Sequence, residues 1–175
     1  MSSSAFEGHI EVFLSAAGIQ PDDLAGRTAV VIDVLRASST IAFALMQGAK
    51  EVIPVADLGD ASRMAAALDA SSFVLAGERG GKRIEGYQLG NSPLEFTSAV
   101  VRDKTVILST TNGTPAIRAA EEAADVLIGG FVNLSRVAAA VRAAGRDVVI
   151  ICAGWGNRVS LEDTLCAGMR VDRLL

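Results

Sequence analysis

In the stretch VVIDVLRASSTIAFAL, Val30 to Leu45, an apolar run is broken by Asp33, then by Arg36 and three hydroxyls, Ser38, Ser39 and Thr40. A carboxylate at the end of such a run suits a metal ligand or a base. A guanidinium three residues on offers a bidentate fork to a phosphate. A second stretch, STTNGTPA, places Ser109, Thr110, Thr111, Asn112, Gly113 and Thr114 ahead of Pro115. Proline is favoured in the first turn of a helix, and the free N–H groups of that turn suit an anion. A helix cap accounts for one hydroxyl of this loop rather than four.

The acidic residues that can join these two stretches are Glu78, Glu85, Glu162 and Asp163. Carboxylate oxygens without imidazole are the donor set of Mg2+, with waters and substrate phosphate completing its shell. His9 is the one histidine, so a histidine triad or a zinc site is not expected. Ser160 to Asp163, SLED, also reads as a capping box. Cys152 and Arg158, in CAGWGNR, have the Cys-x5-Arg spacing with which thiol phosphatases wrap a phosphate. That leaves a metal-free thiol route through Cys152 as an alternative, against the commoner reading of a buried structural cysteine.

These residues need elements to position them. Strands are predicted at His9–Leu14, Thr28–Val34, Glu51–Val55, Ser72–Leu75, Thr105–Ser109, Asp125–Ile128 and Asp147–Cys152. Helices are predicted over 39–48, 58–70, 93–101, 114–123, 133–144 and from 160 onward. Continuous apolar strands such as VVIIC call for burial on both faces. Alternating strands and helices give a three-layer α/β/α fold with a mainly parallel or mixed sheet. In such sheets ligands bind beyond the carboxyl ends of the strands, and four of the segments found there are polar: DVLRASST, GERGG, STTNGTPA and AGWGNRVSLED. The segment Ala76 to Pro93 reads as a long Gly-rich loop.

Length and composition agree with one α/β domain over residues 1–175: half the residues are apolar and 5% aromatic. A net charge of −4 argues against nucleic acid as partner. The N-terminus lacks a charged n-region followed by an apolar run, and no stretch reaches the ~20 apolar residues of a membrane helix. The expectation is a cytoplasmic protein without a membrane partner. The final residues, EDTLCAGMRVDRLL, read as a helix still in progress.

Taken together, VVIDVLRASSTI, GERGG followed by GNSPLE, TTNGTPA, and CAGWGN followed by SLEDTLCAG resemble the 2-phosphosulfolactate phosphatase family, with four motifs in order along nearly the whole chain. The resemblance implies a Mg2+-dependent α/β phosphomonoesterase acting on a small anionic hydroxy acid ester, as in the step of coenzyme M biosynthesis that yields sulfolactate. Carried over by motif, Asp33, Arg36, Ser38, Thr40, Glu78, Arg79, Asn91, Thr111 to Thr114, Glu162 and Asp163 become site candidates, to which Ser39 and Arg158 are added. It also implies a chain that is short at its C-terminus, and it leaves a homo-oligomer open. From chemistry, Asp33 with Glu78 or Asp163 holds the metal, and Arg36 with the Thr111–Thr114 loop holds the phosphate. Arg79, Asn91 or Arg158 takes a second anion and Glu162 serves as base. Whether Asp33 binds metal or attacks phosphorus stays open, as does a non-catalytic module that binds a phosphorylated metabolite.

Overall fold

The computed structural model describes residues 6–156 and 158–175. Eight strands and seven helices are defined among them, so the expected three-layer α/β/α arrangement is present, and the strands are divided between two sheets. The first sheet has the order β1-β8-β2-β7, formed by β1 (Ile10–Phe13), β8 (Val148–Cys152), β2 (Thr28–Ile32) and β7 (Asp125–Gly129). All its pairings are parallel, with Ile32 level with both Gly129 and Cys152. The second has the order β3-β6-β4-β5, formed by β3 (Glu51–Pro54), β6 (Thr105–Ser109), β4 (Phe73–Arg79) and β5 (Lys82–Arg83). Only the β4–β5 pair is antiparallel.

The apolar strands lie where their composition sends them. Every residue of β2, β6 and β8 is buried, and these are interior strands. Helices α6 (Leu134–Ala144) and α7 (Leu161–Leu174) cover one face of the first sheet, where Val137, Val141, Cys166 and Leu174 pack on Val30, Ile32, Val148 and Ile150. On the other face, Leu24 of α1 (Pro21–Leu24) and Ala116 and Ala120, in and just after α5 (Gly113–Ala119), pack on Val31, Val149 and Ile151. The second sheet carries α2 (Ala37–Met46) and α4 (Ser98–Val101) on one face and α3 (Leu58–Ala66) on the other. Ile117 of α5 and Ile128 of β7 pack against the cores of both sheets, so the two halves share apolar contacts.

Three elements differ from the sequence reading. Strand β4 runs on to Arg79 and turns through Gly80–Gly81 into β5, inside the segment expected to be irregular. Both glycines have positive φ, 57° and 80°, which the tight hairpin turn demands. Polar Glu78 and Arg79 masked the strand because its carboxyl half faces loops rather than an apolar layer. The helix expected over 93–101 is a 3-10 turn at Pro93–Glu95 followed by the single turn of α4. Helix α1 was not expected; four residues are too few for a periodic signal.

Candidate active site

The loops after β2, β4, β6 and β8, two from each sheet, meet in a cleft of about 230 Å³. Asp33 and Arg36 enter from the first, Glu78 from the second, and Thr111 and Asn112 from the third. The fourth brings Ser160, Glu162 and Asp163, and Asn91 completes the wall. The four polar strand-end segments therefore converge. Sequence reasoning passed over Leu35, Trp155, Gly80, Gly81, Gly154 and Ser160, which also line the cleft. Leu35 and Trp155 are 69% and 76% exposed and form an apolar lip. Exposure of large apolar side chains beside a polar cleft is a tertiary property that no local pattern signals.

Asp33 sits immediately after β2 and is buried. Its backbone N–H donates to Ser38 Oγ at 2.9 Å, and its carbonyl accepts from the Ser38 N–H at 2.8 Å, which turns the chain into α2. The carboxyl group packs against α5: a Cβ on Gly113 would stand 2.5 Å from Asp33 Oδ2. Burial, with the negative charges of Asp163 and Glu78, pushes this carboxyl up to about 7, although the N–H groups of Ala37 and Arg36 pull the other way. Around it, Glu78, Asp163 and Glu162 face the same cleft, with Arg36 as the guanidinium lining it.

Glu78 and Asp163 are committed elsewhere. Glu78 Oε1 accepts from the Thr111 N–H at 2.7 Å, and Oε2 accepts from the Gly81 N–H at 2.7 Å and from Thr111 Oγ1 at 3.0 Å. Asp163 Oδ1 accepts from the Val34 N–H at 2.8 Å, and Oδ2 from the Gly154 N–H at 3.1 Å. Burial raises the Asp163 carboxyl above its ordinary range, opposed by those two N–H groups. Among the described residues, no three carboxylate, imidazole or thiol side chains converge as a preformed metal cage. Of the carboxylates expected to hold a cation, Asp33 with Glu78 or Asp163, the last two accept from backbone N–H groups of neighbouring loops. Glu162, half-buried, makes no side-chain hydrogen bond or ion pair among the described residues.

The remaining candidates divide between wall and frame. Ser38 Oγ reaches the Val31 carbonyl, Ser39 Oγ the Val34 carbonyl at 2.7 Å and Thr40 Oγ1 the Asn91 carbonyl at 3.1 Å, so the three hydroxyls frame the α2 entry. Thr114 Oγ1 accepts from the Thr110 N–H at 3.0 Å, and Thr110 Oγ1 accepts from the Thr114 N–H at 2.9 Å. The Arg79 guanidinium donates to the Ala56 and Glu78 carbonyls and to Ser109 Oγ, tying β4 to the ends of β3 and β6 and leaving it outside the cleft wall. Arg158 is exposed and its backbone pairs with Trp155. Asn112 Oδ1 accepts from the Gly156 N–H at 3.1 Å. Asn91 is 4% exposed, and its Oδ1 has no hydrogen-bond partner among the described residues.

Cys152 is fully buried at the end of β8 and does not line the cleft. Burial and the neighbouring Asp163 push its thiol up to about 12, so it is protonated at neutral pH, whereas a nucleophilic cysteine needs a thiolate. This geometry withdraws support from the thiol route.

The profile of the family described as 2-phosphosulpholactate phosphatase matches residues 13–175. The chain belongs to this family. A relative from Caldanaerobacter subterraneus subsp. tengcongensis, named "Probable 2-phosphosulfolactate phosphatase", is 41% identical over 165 residues, covering 94% of this chain and 68% of that protein. Relatives of the same name from Clostridium novyi and Clostridium acetobutylicum are 40% and 42% identical. They cover 95% and 91% of this chain and 70% and 67% of their own lengths. The chain thus spans about two thirds of the relatives it matches. The matched region contains every loop that builds the cleft.

Proposed function

We propose that this chain is a Mg2+-dependent phosphomonoesterase that hydrolyses 2-phosphosulfolactate, or a similar small anionic phospho-hydroxy acid, to the hydroxy acid and phosphate. One observation carries the metal: four carboxyl groups against one guanidinium line the cleft, with Asp33 pushed up to about 7 among them. A multiply charged phosphoester would meet net repulsion there, and a divalent cation removes it. Asp33, whose carboxyl is not tied to another loop, is the residue that would hold Mg2+. One or two carboxylates plus waters and substrate oxygens are its usual shell. When bound, the ion supplies charge neutralisation for phosphoryl transfer.

The chain's own groups do the rest. Arg36 directs a planar fork at the phosphate, and Asn112 and Thr111 fix the facing wall. Glu162 takes a proton from the attacking water; it is the cleft carboxylate with no hydrogen-bond or ion-pair partner among the described residues. Asn91 and the Leu35–Trp155 lip meet the rest of the substrate.

Asp33→Asn tests the reading. Turnover of phosphosulfolactate should fall by more than about 100-fold, because residues one step behind a metal are already worth about 10–100-fold. Mg2+ should raise the wild-type melting temperature and leave that of the variant unchanged. Near-normal turnover in Asp33→Asn, or full activity after chelation, sinks the assignment. Tight binding of the phosphoester without phosphate release would favour the non-catalytic module instead.

A further inference from the structure

We infer that Glu78 and Asp163 are positioning residues: each staples together the two loops that its own sheet sends to the cleft, and neither serves as a metal ligand. The inference rests on the phosphatase reading for its consequence in turnover, and on hydrogen bonds alone for its geometry. In the second sheet, Glu78 at the end of β4 holds the Gly81 N–H in the β4–β5 turn and the Thr111 N–H in the loop after β6, both at 2.7 Å. In the first sheet, Asp163 in α7 holds the Val34 N–H after β2 and the Gly154 N–H after β8, at 2.8 and 3.1 Å. Both carboxylates are buried, at 7% and 2% exposure.

The pattern is the same twice: one carboxylate, two oxygens, two backbone donors on different strand-end loops. Only an ionised carboxylate can do this, since both its oxygens accept. An amide of the same shape accepts at one end and presents N–H to the other backbone N–H, so one tether is lost. The two staples are joined across the cleft. Asn112, next to Thr111, accepts from Gly156 in the loop after β8, and Asp33, next to Val34, packs on Gly113 at the start of α5, directly after the β6 loop. Glu78 therefore sets the wall that carries Thr111 and Asn112, and Asp163 sets the backbone on which Asp33 and Arg36 stand. Placement of this kind matters because small displacements of a reacting group cost large factors in rate.

The test uses amide hydrogen exchange on the metal-free protein, with Mg2+ titration and kinetics beside it. Glu78→Gln should speed exchange of Gly81 or Thr111, or both, at least ~10-fold while leaving Val34 and Gly154 protected; Asp163→Asn should do the reverse. Thr111→Val, which removes the Oγ1 link to Glu78 and the acceptor of the Gly80 N–H, should deprotect Gly80 with the carboxylate in place and serves if Glu78→Gln does not fold. In Glu78→Gln, kcat should fall ~10-fold or more while the Kd for Mg2+ stays within ~3-fold of wild type. Unprotected Gly81, Thr111, Val34 and Gly154 amides in the wild type overturn the proposal. So does loss of Mg2+ binding in Glu78→Gln with all four amides still protected. If the wild type binds no Mg2+, the phosphatase reading fails while the exchange pattern still decides the staples.

Discussion

Asp33 stands where its charge is costly. Its carboxyl is pushed from 3.8 in the unfolded chain up to about 7 in the folded protein, chiefly by burial. The folded state therefore holds a proton that the unfolded chain has released, and stability falls as pH rises through that window and levels off above it. For the metal-free protein we expect about 1–4 kcal/mol less stability from this group at pH 8 than at pH 4. Asp33→Asn should then melt higher than wild type at pH 8, by roughly 2–4 °C per kcal/mol, and show little difference near pH 4. Thermal melts over that pH range decide it, and an Asn variant less stable than wild type at pH 8 would refute the cause given. Gly113→Ala tests the same site sterically. Its methyl would stand 2.4 Å from Ala37 Cβ as well as 2.5 Å from Asp33 Oδ2, so a loss of about 1–3 kcal/mol is expected by denaturant titration, together with reduced turnover.

At the scale of elements, α7 shows how one helix serves two ends. Cys166, Ala167, Arg170 and Leu174 are buried on one face, while Leu161, Leu165 and Met169 line the opposite face at 71%, 55% and 50% exposure. Ser160 caps its first turn by accepting from the Asp163 N–H, which fixes the turn that also presents Glu162 to the cleft. Leu165→Ala should change stability by no more than about 0.5 kcal/mol. Ile150→Ala, in fully buried β8 beneath the same helix, should cost about 2–5 kcal/mol. Urea titrations of the two variants compare them directly, and equal losses would contradict the packing described.

At the scale of the whole molecule, Ile117 and Ile128 pack against the cores of both sheets, so the two sheets are expected to unfold as one cooperative body. Heat should produce a single transition, coincident by far-UV circular dichroism and by the fluorescence of Trp155, the one tryptophan. Ile117→Ala should lower that transition without splitting it; two resolved transitions would show that the sheets unfold separately. The cleft spans the boundary between the sheets, so cooperative folding is also what assembles it. Among the described residues no helix is long and apolar enough to cross a membrane.

The sequence by itself determined the alternation of elements, because apolar runs such as VVIIC and helix-forming Ala-rich stretches are local and repeat along the chain. It also determined which segments line the cleft, since polar residues directly after buried strands are legible without coordinates. What each of those residues does was decided by tertiary structure. Ser38, Thr40, Thr114 and Arg79 look like ligand groups in a list, yet their donors and acceptors are satisfied by backbone at the loop bases. Glu78 and Asp163 look like metal ligands, but each spans a pair of loops. Asp33 alone combines burial, like-charged neighbours and a carboxyl held only by N–H groups of its own loop, those of Arg36 and Ala37. Hydrogen bonds between residues 33 or 129 positions apart in the chain leave no periodic trace in the sequence. Only the closing of two sheets on one cleft shows which carboxylates are bound to backbone of another loop and which are not.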